Sequence, residues 1–322
     1  MTVPTASTTP FLGAYAMAPA DSAEQRAFYA ALAHLPVGGL ELPVPADGTS
    51  DEHPGWGEPV PTSWDLLATC IPTVMGRLGG QPAYGLASLD EAGRASALAD
   101  VRRGADLGVR IADRDGRRRV VAIQVHSAPG PRLGSGDALS RSLEEILGWD
   151  LAGAEVLVEH CDALVPGQAA AKGFLSLEDE IAAVRRVVGD RAGDLGAPPA
   201  GLSINWGRSA IEGRSARTAV EHVAAAAEAG LLGAVVLSGA TDVESTWGPA
   251  WGDAHIPPRG DSPALEASSD SLLDAATVRA TLEAAGTTCR VAVKISVRPT
   301  GADVATRLAV ARAALDLVAA AR

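Results

Sequence analysis

Lysine is almost missing from this chain. Of its 27 basic residues only Lys172 and Lys294 are lysines, and the rest are arginine. A sequence that has replaced lysine so widely keeps it where a planar, always-charged guanidinium will not serve, which marks both positions. Cysteine is scarce too. Cys70, Cys161 and Cys289 are widely spaced and odd in number, which excludes a disulfide framework or a cysteine-rich zinc motif and suits a reducing, cytoplasmic setting. Aromatic residues make up 4% of the 322 residues, so the core has to be built from Ala, Val and Leu. No apolar run reaches the roughly 18 residues of a membrane span. The opening MTVPTASTTP has neither the basic nor the apolar segment of a signal peptide, and residues 1–11 are expected to be a short disordered lead-in. Basic surface is also lacking: the net charge is −12, which argues against nucleic acid or an anionic membrane as partner. No GxGxxG follows a strand-like run, so no nucleotide cofactor is expected, and neither HxH, HExxH nor a GxSxG nucleophile elbow is present.

What the chain does contain is an alternation of apolar strand-like runs and helical patterns along its whole length. The runs fall at about 12–17, 39–44, 67–73, 120–126, 155–162, 201–206, 232–238 and 290–296. Helical periodicity separates most of them, as in AEQRAFYAALAHL behind an Asp21 or Ser22 cap and the segment after Ser176, whose first turn carries Glu178 and Asp179. A long loop rich in Pro, Gly and Asp follows the second run, and is long enough to suspect a function. The strands are short and nearly continuously apolar, as expected when both faces are buried. Eight such units in 322 residues predict a (β/α)8 TIM barrel over residues 12–322, with a doubly wound sheet as the alternative.

In a barrel the site lies at the C-terminal ends of the strands. Side chains alternate faces along a strand, and the outward face has to be apolar to meet the helices. That parity turns inward Glu41, Gln124 and His126, Glu159, Ser203 and Asn205, Ser238, and Lys294 with Ser296; Tyr15 and Thr73 (or Thr69) are the polar choices on strands one and three. The outcome is a ring of Tyr15, Glu41, Thr73, His126, Glu159, Asn205, Ser238 and Lys294, one polar group per strand. Glu41 and Glu159 suit acid and base roles, and an ammonium at Lys294 would hold them ionised. His126 can carry a proton near neutral pH. Tyr15, Thr73, Asn205 and Ser238 can hold hydroxyls. Trp206, Trp247, Trp251 and Trp56 offer flat faces to sugar C–H groups, and Trp206 and Trp247 are carried as binding residues. In NWGRSAIEGR, Arg208 either binds a phosphate or carboxylate or pairs with Glu212 within the loop. Glu159, His126, His160 and Asp162 are possible metal ligands, although His160 is expected to point away from Glu159.

The segments GLELPV, CIPTVM, GLASLDEAGR, VHSAP, VEHCDA, KGFLSLEDEI and NWGRSAIEGR together resemble an uncharacterised bacterial family grouped with the xylose-isomerase-like TIM barrels, the sugar-phosphate isomerase and epimerase superfamily. The resemblance spans roughly Leu12 to Val318. It implies a small-molecule carbohydrate substrate, and it leaves a homo-oligomer open. In the better-known members a divalent metal is held by Glu, Asp, His and Glu on strands five to eight. Carried over, those positions are Glu159, Asn205, Ser238 and Lys294, so three of the four ligands are replaced and metal dependence of the usual kind is in doubt. The resemblance implies a sugar or sugar-phosphate isomerase or epimerase. Glu159 would abstract a proton beside a carbonyl, Lys294 would stabilise the enediolate, and His126 or Glu41 would relay the second proton. A Schiff-base lyase or aldolase using Lys294 and a non-catalytic carbohydrate-binding barrel remain as alternatives.

Overall fold

A computed structural model describes residues 9–46, 54–189 and 200–322. Most of the expected lead-in and part of the loop after the second strand lie outside the described residues. Eight parallel strands close into a barrel in chain order. They are β1 (Phe11–Leu12), β2 (Gly39–Pro43), β3 (Asp65–Thr69), β4 (Val120–Val125), β5 (Glu155–His160), β6 (Ala200–Asn205), β7 (Leu232–Leu237) and β8 (Arg290–Val293). Around them pack α1 (Ser22–Ala31), α2 (Ile71–Leu78), α3 (Glu91–Asp115), α4 (Gly136–Leu147), α5 (Leu177–Val188), α6 (Trp206–Gly213), α7 (Ala216–Glu228), α8 (Ala275–Ala285) and α9 (Val304–Ala320). No described helix is long and apolar enough to cross a membrane. The caps fall where the side-chain chemistry predicts: Asp21 accepts from the backbone of Ala23 and Glu24, and Ser176 from Asp179.

The alternation of faces separates two apolar layers. Leu40, Leu42, Ile123, Val125, Leu202, Ile204, Val235, Leu237, Val291 and Val293 join the large core between sheet and helices. Phe11, Leu67, Val121, Ala122, Leu157, Ala234, Val236 and Ala292 form a second cluster inside the barrel. This inner plug sits below the strand ends and forms the floor on which the polar ring stands.

Three local expectations are corrected. The first strand is only two residues long, starts at Phe11 inside the stretch expected as lead-in, and gives way to a 3-10 helix over Ala14–Met17. Gly13 stands at the break, where a Cβ would lie 2.9 Å from the Cβ and Cγ of Lys294, so the position admits only glycine. The third strand ends at Thr69, because Pro72 in the first turn of α2 favours a helix start there. NWGRSAIEGR is not a loop but the helix α6, capped by Asn205. Turns follow strand β2 among the described residues, where the Pro, Gly and Asp-rich loop was expected.

Leu157 shows how tightly the plug is filled. A Cβ on Gly233 would stand 2.5 Å from its Cδ2, and one on Gly201 3.4 Å away. Leu157→Ala is expected to cost about 2–5 kcal/mol through the cavity it leaves, and Gly233→Ala about 1–3 kcal/mol through overpacking. The double variant should cost less than the sum, since the new methyl enters the vacated space; urea unfolding of the four proteins measures the coupling.

Candidate active site

The centre of the strand-end ring is an ammonium between two carboxylates. Lys294 Nζ donates to Glu41 Oε1 at 2.8 Å and lies 4.0 Å from Glu159 Oε1, and all three side chains are fully buried. Glu41 Oε1 also accepts from the Tyr15 hydroxyl at 3.3 Å. Nζ stands 5.1 Å from the centre of the Tyr15 ring, near enough for cation–π attraction. Glu159 is held on both oxygens: Asn205 Nδ2 donates to Oε1 at 2.9 Å, and His126 Nε2 meets Oε2 at 2.8 Å. Asn205 is fixed by its second task. Its Oδ1 accepts from the backbone N–H of Arg208 as the cap of α6, which leaves the amide nitrogen to face Glu159.

The two carboxylates are driven apart. Burial raises the affinity of Glu41 for a proton and outweighs the lowering by Lys294; the negative charge of Glu159 adds to the rise. Burial acts on Glu159 in the same sense, but Lys294, the His126 hydrogen bond and Arg208 together hold it well below the usual carboxylate range. His126 is pushed down by burial, against the pull of Glu159. A neutral His126 facing a carboxylate donates through Nε2, so Nδ1 is left as an acceptor; it has no hydrogen-bond partner among the described residues. Glu41 Oε2 is likewise buried without one. Buried polar atoms without partners call for a ligand or water.

A second shell of charge lies over the ring. Arg208, 2% exposed, pairs with Asp253 at 3.0 Å, and Lys172 reaches the same carboxylate oxygen at 3.2 Å. Arg208 Nε and Nη1 are buried with no hydrogen bond among the described residues. Burial works against its charge, but Asp253 foremost and then Glu159 keep it cationic. His255 Nδ1 meets the Ser238 hydroxyl at 2.9 Å, and its backbone carbonyl accepts from Ser296 at 2.7 Å. Burial pushes His255 down to about 4, so it is neutral at pH 7. The loop after β7 is thereby tied to the ring from above.

Six expected ring members, Glu41, His126, Glu159, Asn205, Ser238 and Lys294, come together at the strand ends. Tyr15 reaches the ring from the 3-10 helix instead of from a strand. Thr73 does not: it sits on α2, half-buried, because β3 stops four residues earlier. Trp206 is fully buried as the first residue of α6 and packs in the core between sheet and helices, so it offers no face at the ring. Trp247 donates to the Ala267 carbonyl, carries Arg298 over its ring and lines a surface hollow with Pro257 and Val297. Trp56 donates to the Pro43 carbonyl, and Trp251 carries Arg214 on its ring. The proposed pair of Arg208 with Glu212 is replaced by Arg208 with Asp253. Glu212 turns to His160, which points away from Glu159 as expected. Asp253, His255 and Lys172 were not placed at the ring from sequence, because two long loops bring them there; only the rarity of lysine flagged Lys172.

The donors at the ring do not fit the divalent metal of the better-known barrels. Asn205 presents an N–H to Glu159, and Lys294 places a fixed positive charge 4.0 Å from the same oxygen. His126, Glu159 and Cys161 bring ligand atoms within 4.8 Å of one another, and burial holds the metal-free Cys161 thiol well above its ordinary range.

A closed eight-stranded parallel barrel with a polar ring at its strand ends is the architecture of the xylose-isomerase-like TIM barrels. Solved structures agree in fold. A xylose isomerase domain containing protein from Salmonella typhimurium LT2 superposes with a TM-score of 0.56 at 13% identity over 98% of both chains. A D-psicose 3-epimerase solved with D-fructose gives 0.53 at 14% over 92% of both chains. The IolI protein with a bound zinc atom gives 0.58 at 10%, covering 98% of this chain and 99% of that one. At these identities the likeness is one of fold alone. The chain belongs to the family described as Domain of unknown function (DUF4862), which matches residues 11–310. It is also 34% identical over 261 residues to an uncharacterized protein of Salmonella typhimurium (strain LT2), covering 76% of this chain and 77% of the relative.

Lys294→Met removes the cation and leaves two buried carboxylates facing each other. A loss of about 3–5 kcal/mol at pH 7 is expected. Without the ammonium Glu41 loses the charge that offsets its burial, and Glu159 loses the largest influence holding it down. The ionised forms are the ones left uncompensated, so the deficit of the variant relative to the parent should grow as pH rises. Urea midpoints of variant and parent between pH 4 and 8 check this sign; a deficit that shrinks with rising pH would contradict the arrangement.

Proposed function

We propose that this protein is a sugar or sugar-phosphate isomerase or epimerase working by proton transfer through an enediolate at the strand-end ring. The observation that carries the reading is the pair of carboxylates around Lys294, whose environments push their proton affinities in opposite directions. Such a pair divides naturally into base and acid. Glu159, kept ionised, takes the proton beside the substrate carbonyl. Glu41, inclined to hold a proton, returns one, directly or by way of His126. The Lys294 ammonium supplies fixed positive charge to the developing enediolate oxygen in a site closed to water, where such charge acts most strongly. This assigns to a side chain the electrostatic part that a cation would otherwise play, and no step is routed through a metal. Asn205 and His126 keep Glu159 in place.

The known substrates of the fold relatives support the class of ligand: one epimerase was solved with D-fructose, and another acts by its name on a 3-keto-D-glucoside. The two free donors of Arg208 suit an anionic group on the substrate, which would take over part of the role of Asp253. Lys294 is fully buried with a pKa well above its ordinary value, since Glu41, Tyr15 and Glu159 outweigh the cost of burial. It is therefore an ammonium and not the free amine of a Schiff-base nucleophile.

A panel of ketoses, aldoses and their phosphates in deuterium oxide, followed by proton NMR, tests the reading. Wash-in of deuterium at a carbon next to the carbonyl is expected with at least one sugar. Glu159→Gln should lower the exchange rate by about 10³-fold or more, and Glu41→Gln should slow product formation more than exchange. No exchange on the whole panel with folded protein would sink the proposal. If the substrate is a phosphate, Arg208→Lys should raise KM about 10-fold or more with a smaller effect on kcat, because bidentate contact is lost.

A further inference from the structure

Behind the barrel wall, on the opposite face of β5 from Glu159, lies a cluster that the proposed chemistry does not use. His160 ends β5, Glu212 lies in the last turn of α6, and His222 sits on the face of α7 turned toward the barrel. His160 Nε2 is 3.1 Å from Glu212 Oε2, and His222 Nε2 is 3.8 Å from Glu212 Oε1. The imidazole rings stand 5.0 Å apart at 76°. One ligand atom from each of the three lies within 4.8 Å of the others.

We propose that His160, Glu212 and His222 form a binding site for a first-row transition ion of the zinc type, separate from the barrel mouth. The Glu212 carboxylate faces both imidazoles, Oε2 toward His160 at 3.1 Å and Oε1 toward His222 at 3.8 Å, near the roughly 3.3–3.5 Å that separates neighbouring ligand atoms around a tetrahedral ion with bonds of about 2.0–2.2 Å. The donor set of two imidazoles and one carboxylate suits zinc and its neighbours rather than magnesium or calcium, which take oxygen ligands.

The surroundings are those of a metal site. Glu180 Oε2 holds His160 Nδ1 at 2.7 Å, the carboxylate–histidine arrangement that aims the other ring nitrogen at an ion. The second Glu180 oxygen is held in turn by the Ser127 hydroxyl. Glu212 Oε2 is steadied by the backbone N–H of Ala163 at 2.7 Å. His222 is the part that hydrogen bonding alone leaves unexplained. Its side chain is 16% exposed, Nδ1 has no hydrogen bond among the described residues, and Nε2 lies beyond hydrogen-bond reach of Glu212. An ion at the centre would give Nε2 a partner and take the place of the proton between His160 and Glu212. Three protein ligands leave a fourth position for water. The partial exposure of Glu212 and His222, 14% and 16%, provides a path inward.

The test needs no substrate, so its failure leaves the reading of the barrel mouth untouched. Full-length protein is stripped with chelator, dialysed and titrated with Co²⁺ and then Zn²⁺ near pH 7.5. One Co²⁺ per chain is expected, with the intense visible bands of a four- or five-coordinate ion, displaced by one Zn²⁺. Glu212→Gln and His222→Ala should each weaken binding about 100-fold or more while keeping the circular dichroism of the parent. Glu159→Gln should bind as the parent does. Absence of binding up to about 100 µM free ion would overturn the proposal. So would a site that survives His222→Ala, or one that is lost in Glu159→Gln and so belongs to the barrel mouth.

Discussion

A single buried ammonium sets the terms for the mouth of this barrel. Moving an isolated lysine charge out of water costs several kcal/mol, and Lys294 is fully buried. It persists because Glu41 stands 2.8 Å away, Glu159 lies 4.0 Å away and the Tyr15 ring covers it. Each of these depends on others in turn. Glu159 needs Asn205 and His126 to occupy its two oxygens, and Asn205 can donate only because its carbonyl is engaged by α6. Gly13 has to lack a side chain so that the lysine stem can pass. The short β1, the 3-10 helix that brings in Tyr15 and the cap of α6 meet around this charged stem at the top of an apolar plug.

The arrangement also explains why a familiar architecture carries an unfamiliar set of residues. Relatives in fold include a protein solved with zinc and an epimerase solved with a ketose. Here the charge at the ring is part of the polypeptide. A lysine supplies one positive charge at a fixed point and offers no vacant coordination position, so under the proposed function the substrate would be oriented by hydrogen bonds. His126 Nδ1, Glu41 Oε2 and two nitrogens of Arg208 are among the buried groups without a hydrogen-bond partner in the described residues. The salt bridges of Asp253 to Arg208 and Lys172 add a cover whose charges complement the ring beneath it.

Much of the ring was legible in the sequence, and the reason is the period of two. In β2, β4, β6, β7 and β8 the outward residues are strictly apolar, so the inward polar residue could be read directly. Where the element was not a strand, parity misled. Thr73 was assigned a ring position that requires β3 to continue past Thr69, whereas the helix begins at Ile71. Tyr15 was placed on a strand and arrives by a 3-10 turn. Trp206 and Trp247 were read as sugar platforms from residue type alone; both are used in packing, since a large ring beside a helix start is an efficient way to fill space. The Arg208–Glu212 pair failed for a different reason: their i,i+4 spacing on α6 would allow it, but Asp253 takes Arg208 and His160 takes Glu212.

The sequence by itself determined the barrel, the inward set on most strands and the importance of a lysine kept in a chain of arginines. Those follow from local rules: alternation along strands, the length of units, and the rarity of one residue type. Only the tertiary structure decided which groups touch. Closure of the barrel brings Lys294 of the last unit against Glu41 of the second, 253 positions away in the chain. Folding of two loops sets Lys172 and Asp253 over Arg208. The ammonium that first stood out as one of two lysines acquires its meaning from that closure, because the free energy of a buried charge depends on distances that no local pattern records.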